Sequence, residues 1–132
     1  MLTLRKETDY AIQFLMHIAA KPEKCHSLKK FAENYGISFY FMQKIARKLS
    51  QEKIIQAEQG VCGGYILKAN PKKLTLYNVV CIMEKGVHLM GCVDNPDHPC
   101  NTGKKRCKVK KIMCTLNSEI VKTMKKIKIL DN

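Results

Sequence analysis

No stretch of this sequence approaches the roughly 20 consecutive apolar residues that cross a bilayer, so no membrane-spanning helix is expected. The opening residues, MLTLRKETDYAIQF, set acids close behind a basic pair and hold no small-residue cleavage site. They do not read as a secretion signal, and the expected compartment is the cytoplasm. Acids are scarce, with 11 Asp and Glu against 24 Lys and Arg, a formal charge of +13. The excess is uneven: residues 1–103 carry 14 basic and 9 acidic side chains, residues 104–132 carry 10 and 2. Such a balance suits a polyanion, whose condensed counterions are released as phosphates are neutralised, or else a solvated lysine-rich surface. A catalytic constellation is also missing. His17, His26, His88 and His98 have no serine or carboxylate partners at motif spacing, so an enzyme is not expected. Seven cysteines cannot all pair within one chain, and a reducing compartment argues against a disulfide framework. None of them forms a C-x2-C pair, which argues against zinc. A small iron–sulfur electron carrier fits poorly too, because it has no use for this charge.

What remains is a chain of 132 residues, 45% apolar, long enough for one compact domain plus an extra element. Tyr10, Ala11, Phe14, Leu15, Ile18 and Ala19 recur at helical spacing, predicting a first helix from near Thr3 to Ala20, ended by Lys21-Pro22-Glu23. Ser27 is suited to cap a second helix from Leu28 to Tyr35, with Gly36 as its stop. Ser38 then caps a third, from Phe39 to about Gln51, with Phe41, Met42, Ile45 and Leu49 inward. Two helices joined through a tight glycine turn form a helix-turn-helix. Ile54–Ala57 and Tyr65–Leu67 read as short strands around Gln59-Gly60-Val61-Cys62-Gly63-Gly64, whose glycines permit a tight hairpin. Thr75 is suited to cap a fourth helix, Leu76 to Lys85, closed by Gly86.

Residues 87–107 lack periodicity and read as a loop, either functional or held by something other than a core. A helix from about Lys108 to Lys128 follows. Its stripe of Val109, Ile112, Met113, Leu116, Ile120, Val121, Met124 and Ile127 is expected to pair with a second copy, or else to fold back on the first helix. The expected fold is therefore mainly α with a small β-hairpin wing: a winged helix-turn-helix domain (1–86), a cysteine loop (87–107) and a long C-terminal dimerisation helix (108–132).

On the third helix, Ser38, Tyr40, Gln43, Lys44, Arg47 and Lys48 form the polar face that would meet a major groove of double-stranded DNA. Gln43 is suited to read an adenine edge, whereas Lys44, Arg47 and Lys48 suit phosphates. Gln59 and Gly60 of the wing would touch the backbone or minor groove. In the loop, Cys92, Cys100 and Cys107 are spaced C-x7-C-x6-C. Three soft thiolates suit an iron–sulfur cluster, with bare redox thiols or zinc as the alternatives. Cys25, Cys62 and Cys81 are read as ordinary small residues.

Thr8-Asp9-Tyr10-Ala11, Gly36-Ile37-Ser38, Gly60 with Gly63-Gly64-Tyr65-Ile66-Leu67, Pro71, Leu74-Thr75-Leu76 and Val79-Val80, together with the cysteine loop, resemble the Rrf-two family of bacterial regulators (IscR- and NsrR-like). The resemblance covers essentially the whole chain. It implies a cytoplasmic homodimeric transcriptional regulator, commonly a repressor, whose operator binding is controlled by a [4Fe-4S] or [2Fe-2S] cluster on Cys92, Cys100 and Cys107. The sensed state would be iron–sulfur status, nitric oxide or redox poise. It further implies a fourth, carboxylate ligand at Asp9, against which Cys114 and His98 are the other candidates. A cluster-free member answering to thiol oxidation or a protein partner is the alternative. One departure stands out: the family's usual wing arginine is replaced here, where the wing reads Gln59-Gly60-Val61-Cys62.

Overall fold

A computed structural model describes residues 3–60, 63–94 and 107–130. The elements run α1 (Lys6–Ala19), α2 (Leu28–Tyr35), α3 (Phe39–Gln51), β1 (Ile55–Glu58), β2 (Gly64–Leu67), α4 (Leu76–Glu84), α5 (Gly91–Asp94) and α6 (Lys108–Lys126). This is the winged helix-turn-helix arrangement that the sequence predicts.

Local chemistry explains the boundaries. Ser27 accepts a hydrogen bond from the Lys30 amide and Ser38 one from the Phe41 amide, so each hydroxyl satisfies an orphan donor at a helix start. Between them Gly36 takes the left-handed conformation (φ 65°), and the Ile37 amide reaches back to the Ala32 carbonyl. That closure turns α2 sharply into α3. Thr75 and Asn78 form a reciprocal capping box at the start of α4. The end of α4 differs from expectation. Lys85 itself adopts the left-handed conformation (φ 62°) and Gly86 follows at φ 121°, so the stop spans two residues.

The core lies where α1, α2, α3 and α4 meet the wing. Ala11, Phe14, Leu15 and Ile18 of α1 pack with Phe31, Met42, Ile45, Leu49, Val79 and Met83, all essentially without solvent contact. Phe14 and Phe31 lie with ring centroids 5.0 Å apart. Phe41 and Tyr10 are only half-buried and meet edge-on at the rim.

The wing strands pair antiparallel from Ile55↔Leu67 to Glu58↔Gly64. The loop before α2 adds a single rung of its own to β2, because His26 and Tyr65 exchange both backbone hydrogen bonds at 2.9 Å. Gly64 is buried against this rung; a Cβ there would fall 2.1 Å from the His26 carbonyl oxygen.

Three further expectations are corrected by the structure. The first helix starts at Lys6 rather than Thr3. The loop 87–107 contains one helical turn, α5, at 91–94. The final helix stops at Lys126, after which the chain returns as a strand-like segment. There Leu76 donates to the Ile127 carbonyl and Ile129 to the Leu74 carbonyl, which buries Ile129 in the core. Helix α6 packs chiefly on α4 and α5. None of its residues is fully buried; Val109 (52%), Ile112 (63%) and Leu116 (46%) stay open to solvent.

Candidate nucleic-acid interface and cysteine loop

Helix α3 presents a groove of about 440 Å³ lined by Tyr40, Gln43, Lys44, Arg47, Ser50, Gln51 and Tyr65. Four residues named from the sequence, Tyr40, Gln43, Lys44 and Arg47, thus share one surface. The Lys44 ammonium lies 4.8 Å from the centroid of the Tyr40 ring, an arrangement that orients the cation without neutralising it. Tyr65 joins them from the wing. Its partly buried place in β2 hid it from a reading that treated the strand as scaffold, and the edge-to-face contact with Phe14 (6.3 Å) explains how it is held. Ser50 and Gln51, in the last turn of α3, complete the groove and were not among the residues read from the sequence.

The other named residues stand apart from this groove. Ser38 is exposed, but its hydroxyl serves as the cap of α3. Gln59 and Gly60 are exposed at the wing, and Gly60 sits at φ 111°, which favours glycine. Lys48 turns towards α1 and donates to Glu7 at 2.9 Å. That hydrogen bond is the main reason the Glu7 carboxyl is held below the usual carboxylate range.

The start of α1 is itself fastened to the end of α4. The Arg5 backbone amide and Nε each donate to Glu84 at 2.9 Å, and the Thr8 hydroxyl donates to it at 2.5 Å. Arg5 also donates to the Met83 carbonyl. Burial pushes the Glu84 carboxyl up, but the donors from Thr8 and Arg5 outweigh it and hold it below its ordinary value. Asp9, next along α1, is exposed and accepts a hydrogen bond from Gln13 at 2.9 Å.

Of the three loop cysteines, Cys92 lies in α5 and Cys107 is the N-terminal cap residue of α6. Both are half-buried free thiols on helices that touch one another. Cys100 and His98 lie outside the described residues, as does Cys62 of the wing. Among the described residues, which do not include Cys100, no three His, Cys, Asp or Glu side chains are grouped to hold a metal ion. Two soft donors presented by adjoining helices are chemically suited to a cluster. Cys114 lies two helical turns into α6, about 10 Å along the axis from Cys107, too far to share one cluster with it. Cys25, read from the sequence as an ordinary loop residue, is instead disulfide-bonded, whereas Cys81, Cys92, Cys107 and Cys114 are free.

Comparison with known proteins places this arrangement. The chain is 30% identical over 99 residues to protein aau3 of Rhizobium meliloti (strain 1021), covering 75% of this chain and 64% of that one. It therefore spans less than two thirds of that relative's length. It is 28% identical over 100 residues to the HTH-type transcriptional regulator NsrR of Shouchella clausii, covering 75% and 67%. Its fold is similar to that of CymR, the global cysteine regulator of B. subtilis, with a TM-score of 0.77 at 17% identity over 99% of this chain and 95% of that one. The profile of the Rrf2 family, described as iron-dependent transcriptional regulators, matches residues 4–131, and the chain belongs to that family.

Proposed function

We propose that this protein is a homodimeric, DNA-binding transcriptional regulator whose operator affinity follows the state of an iron–sulfur cluster. The DNA reading is carried by the exposed groove of Tyr40, Gln43, Lys44 and Arg47 beside the wing. Gln43 supplies the base contact, in which a bidentate pair with adenine discriminates by about 1–3 kcal/mol. Lys44 and Arg47 supply phosphate contacts that position the helix. In a duplex-binding assay with varied sequences, Gln43→Ala is expected to relax base preference while leaving the salt dependence alone. Arg47→Ala should weaken every sequence alike and flatten the salt dependence by about 0.9 per lost phosphate. Unchanged binding in both variants would remove this face from the interface.

The dimer reading rests on α6, whose Val109, Ile112 and Leu116 remain open although α4 and α5 cover its other side. A second copy laid along this stripe removes that apolar area from water. Sedimentation should give about 30 kDa, twice the 15.1 kDa chain, and Ile112→Lys should shift it towards the monomer. A parent that sediments as a monomer at high concentration contradicts the assignment.

Cys92, Cys100 and Cys107 would hold the cluster, with Asp9 of a second copy as the carboxylate ligand. When bound, the cluster supplies a redox-active, ligand-exchangeable iron site. Support comes from the family's iron dependence and from the two half-buried free thiols on α5 and α6. The disulfide at Cys25 favours a second reading, a cluster-free regulator that responds to thiol oxidation. The two separate on whether anaerobically prepared protein absorbs in the visible.

A further inference from the structure

Lys48 belongs to the recognition helix by sequence but not to its groove by position. It is one residue from Arg47, yet its ammonium is turned to the first turn of α1 and hydrogen-bonded to Glu7 Oε2 at 2.9 Å. Neither side chain is sequestered: Lys48 is 34% and Glu7 21% exposed. The carboxylate end of the pair sits on a fastened helix. Its helix is tied to α4 through Arg5, Thr8 and Glu84. The ammonium end rides on a flexible four-carbon stem. A carboxylate oxygen and a phosphate oxygen offer such a cation the same charge-assisted hydrogen bond.

We infer that Glu7 is an affinity-setting residue, holding Lys48 as an internal substitute for a DNA phosphate. The inference rests on the DNA-binding reading above. A cation already neutralised by its own protein releases no counterion when duplex arrives, so Lys48 contributes nothing to the salt dependence. With Glu7 uncharged, Lys48 is free to swing to the backbone beside Arg47 and adds one phosphate contact. The device lowers affinity for all sequences equally. Discrimination by base contacts is left intact, because a factor common to all sequences cancels in the specificity ratio.

The test is fluorescence anisotropy on a short mixed-sequence duplex over a range of salt, with the full chain. Glu7→Gln keeps an acceptor for Lys48 but removes the charge. It should steepen the log–log salt slope by about 0.9, equivalent to roughly eightfold tighter binding near 0.1 M salt. Lys48→Ala alone should change little, and the gain from Glu7→Gln should vanish in the double variant. A gain that survives without Lys48 means that Glu7 merely repels DNA, and the inference fails. It also fails if Lys48→Ala by itself flattens the slope, because Lys48 would then already be on a phosphate. Arg47→Ala separates the two levels. If it weakens binding while Glu7→Gln does nothing, the interface stands and the lock falls; if no protein binds duplex, both fall together.

Discussion

Alanine at Cys92, Cys100 or Cys107 is expected to yield a colourless protein from an anaerobic preparation in which the parent absorbs in the visible. The physical reason is donor number. Each thiolate satisfies one iron, and no described side chain stands ready to replace it: Cys114 is two helical turns away along α6. Cys92 and Cys107 sit half-buried on α5 and at the cap of α6, so alanine at either removes a ligand without opening the core, and folding should survive. Cys81→Ala and Cys114→Ala are the controls and should keep full colour. Asp9→Ala should give a coloured but labile cluster with an altered response to nitric oxide, because a carboxylate holds iron less firmly than a thiolate. Colour that persists without Cys107 would refute the ligand set. A colourless parent would shift the weight to thiol oxidation, for which Cys25 is the first residue to test.

Gly64→Ala is expected to be severely damaging although it adds a single methyl. Its backbone dihedrals are not the obstacle, since Gly64 is not among the glycines with positive φ. Space is. The new Cβ would lie 2.1 Å from the His26 carbonyl oxygen and 2.9 Å from the Ser27 nitrogen, and backbone atoms cannot rotate aside as a side chain can. Relief requires parting the loop from the wing, which breaks the two His26–Tyr65 hydrogen bonds. Overpacking typically costs about 1–3 kcal/mol, and each hydrogen bond lost adds about 1 kcal/mol. Against a total stability of roughly 5–15 kcal/mol that is a large share. The melting temperature should drop by about 10 °C or more. Tyr65 should leave the groove with the strand, so DNA binding should fall further than Gln43→Ala alone would cause. A variant that melts like the parent would show that the loop yields at no cost.

Most of the architecture was legible because it is written in short-range chemistry. Ser27, Gly36, Ser38 and Thr75 announce helix ends through one side chain or one missing side chain, and the coordinates place them at those ends. The inward residues of α1 and α3 follow from a 3.6-residue period that needs no partner to be seen. Boundaries slipped where the deciding contact was distant. The first helix starts late because Arg5 is engaged with Glu84, 79 positions away. The last helix ends early because Ile129 has a place in a core built by α1, α3 and α4.

The cysteine spacing, the glycine-rich wing, the basic excess and the polar face of α3 could all be read from the chain alone, since each is a property of residue type and interval. What only the folded chain decided is which of those groups are available. Lys48 looks like Lys44 and Arg47 in sequence, yet its ammonium is engaged with Glu7 whereas theirs line the groove. Cys25 looks like Cys81, yet it is in a disulfide and Cys81 is a free thiol. Helical and strand periods are set by backbone geometry within a few residues. Pairing of a charge or a thiol is set by what the fold brings within about 3 Å of it, and Glu7 reaches Lys48 only after 41 residues of chain have closed the domain.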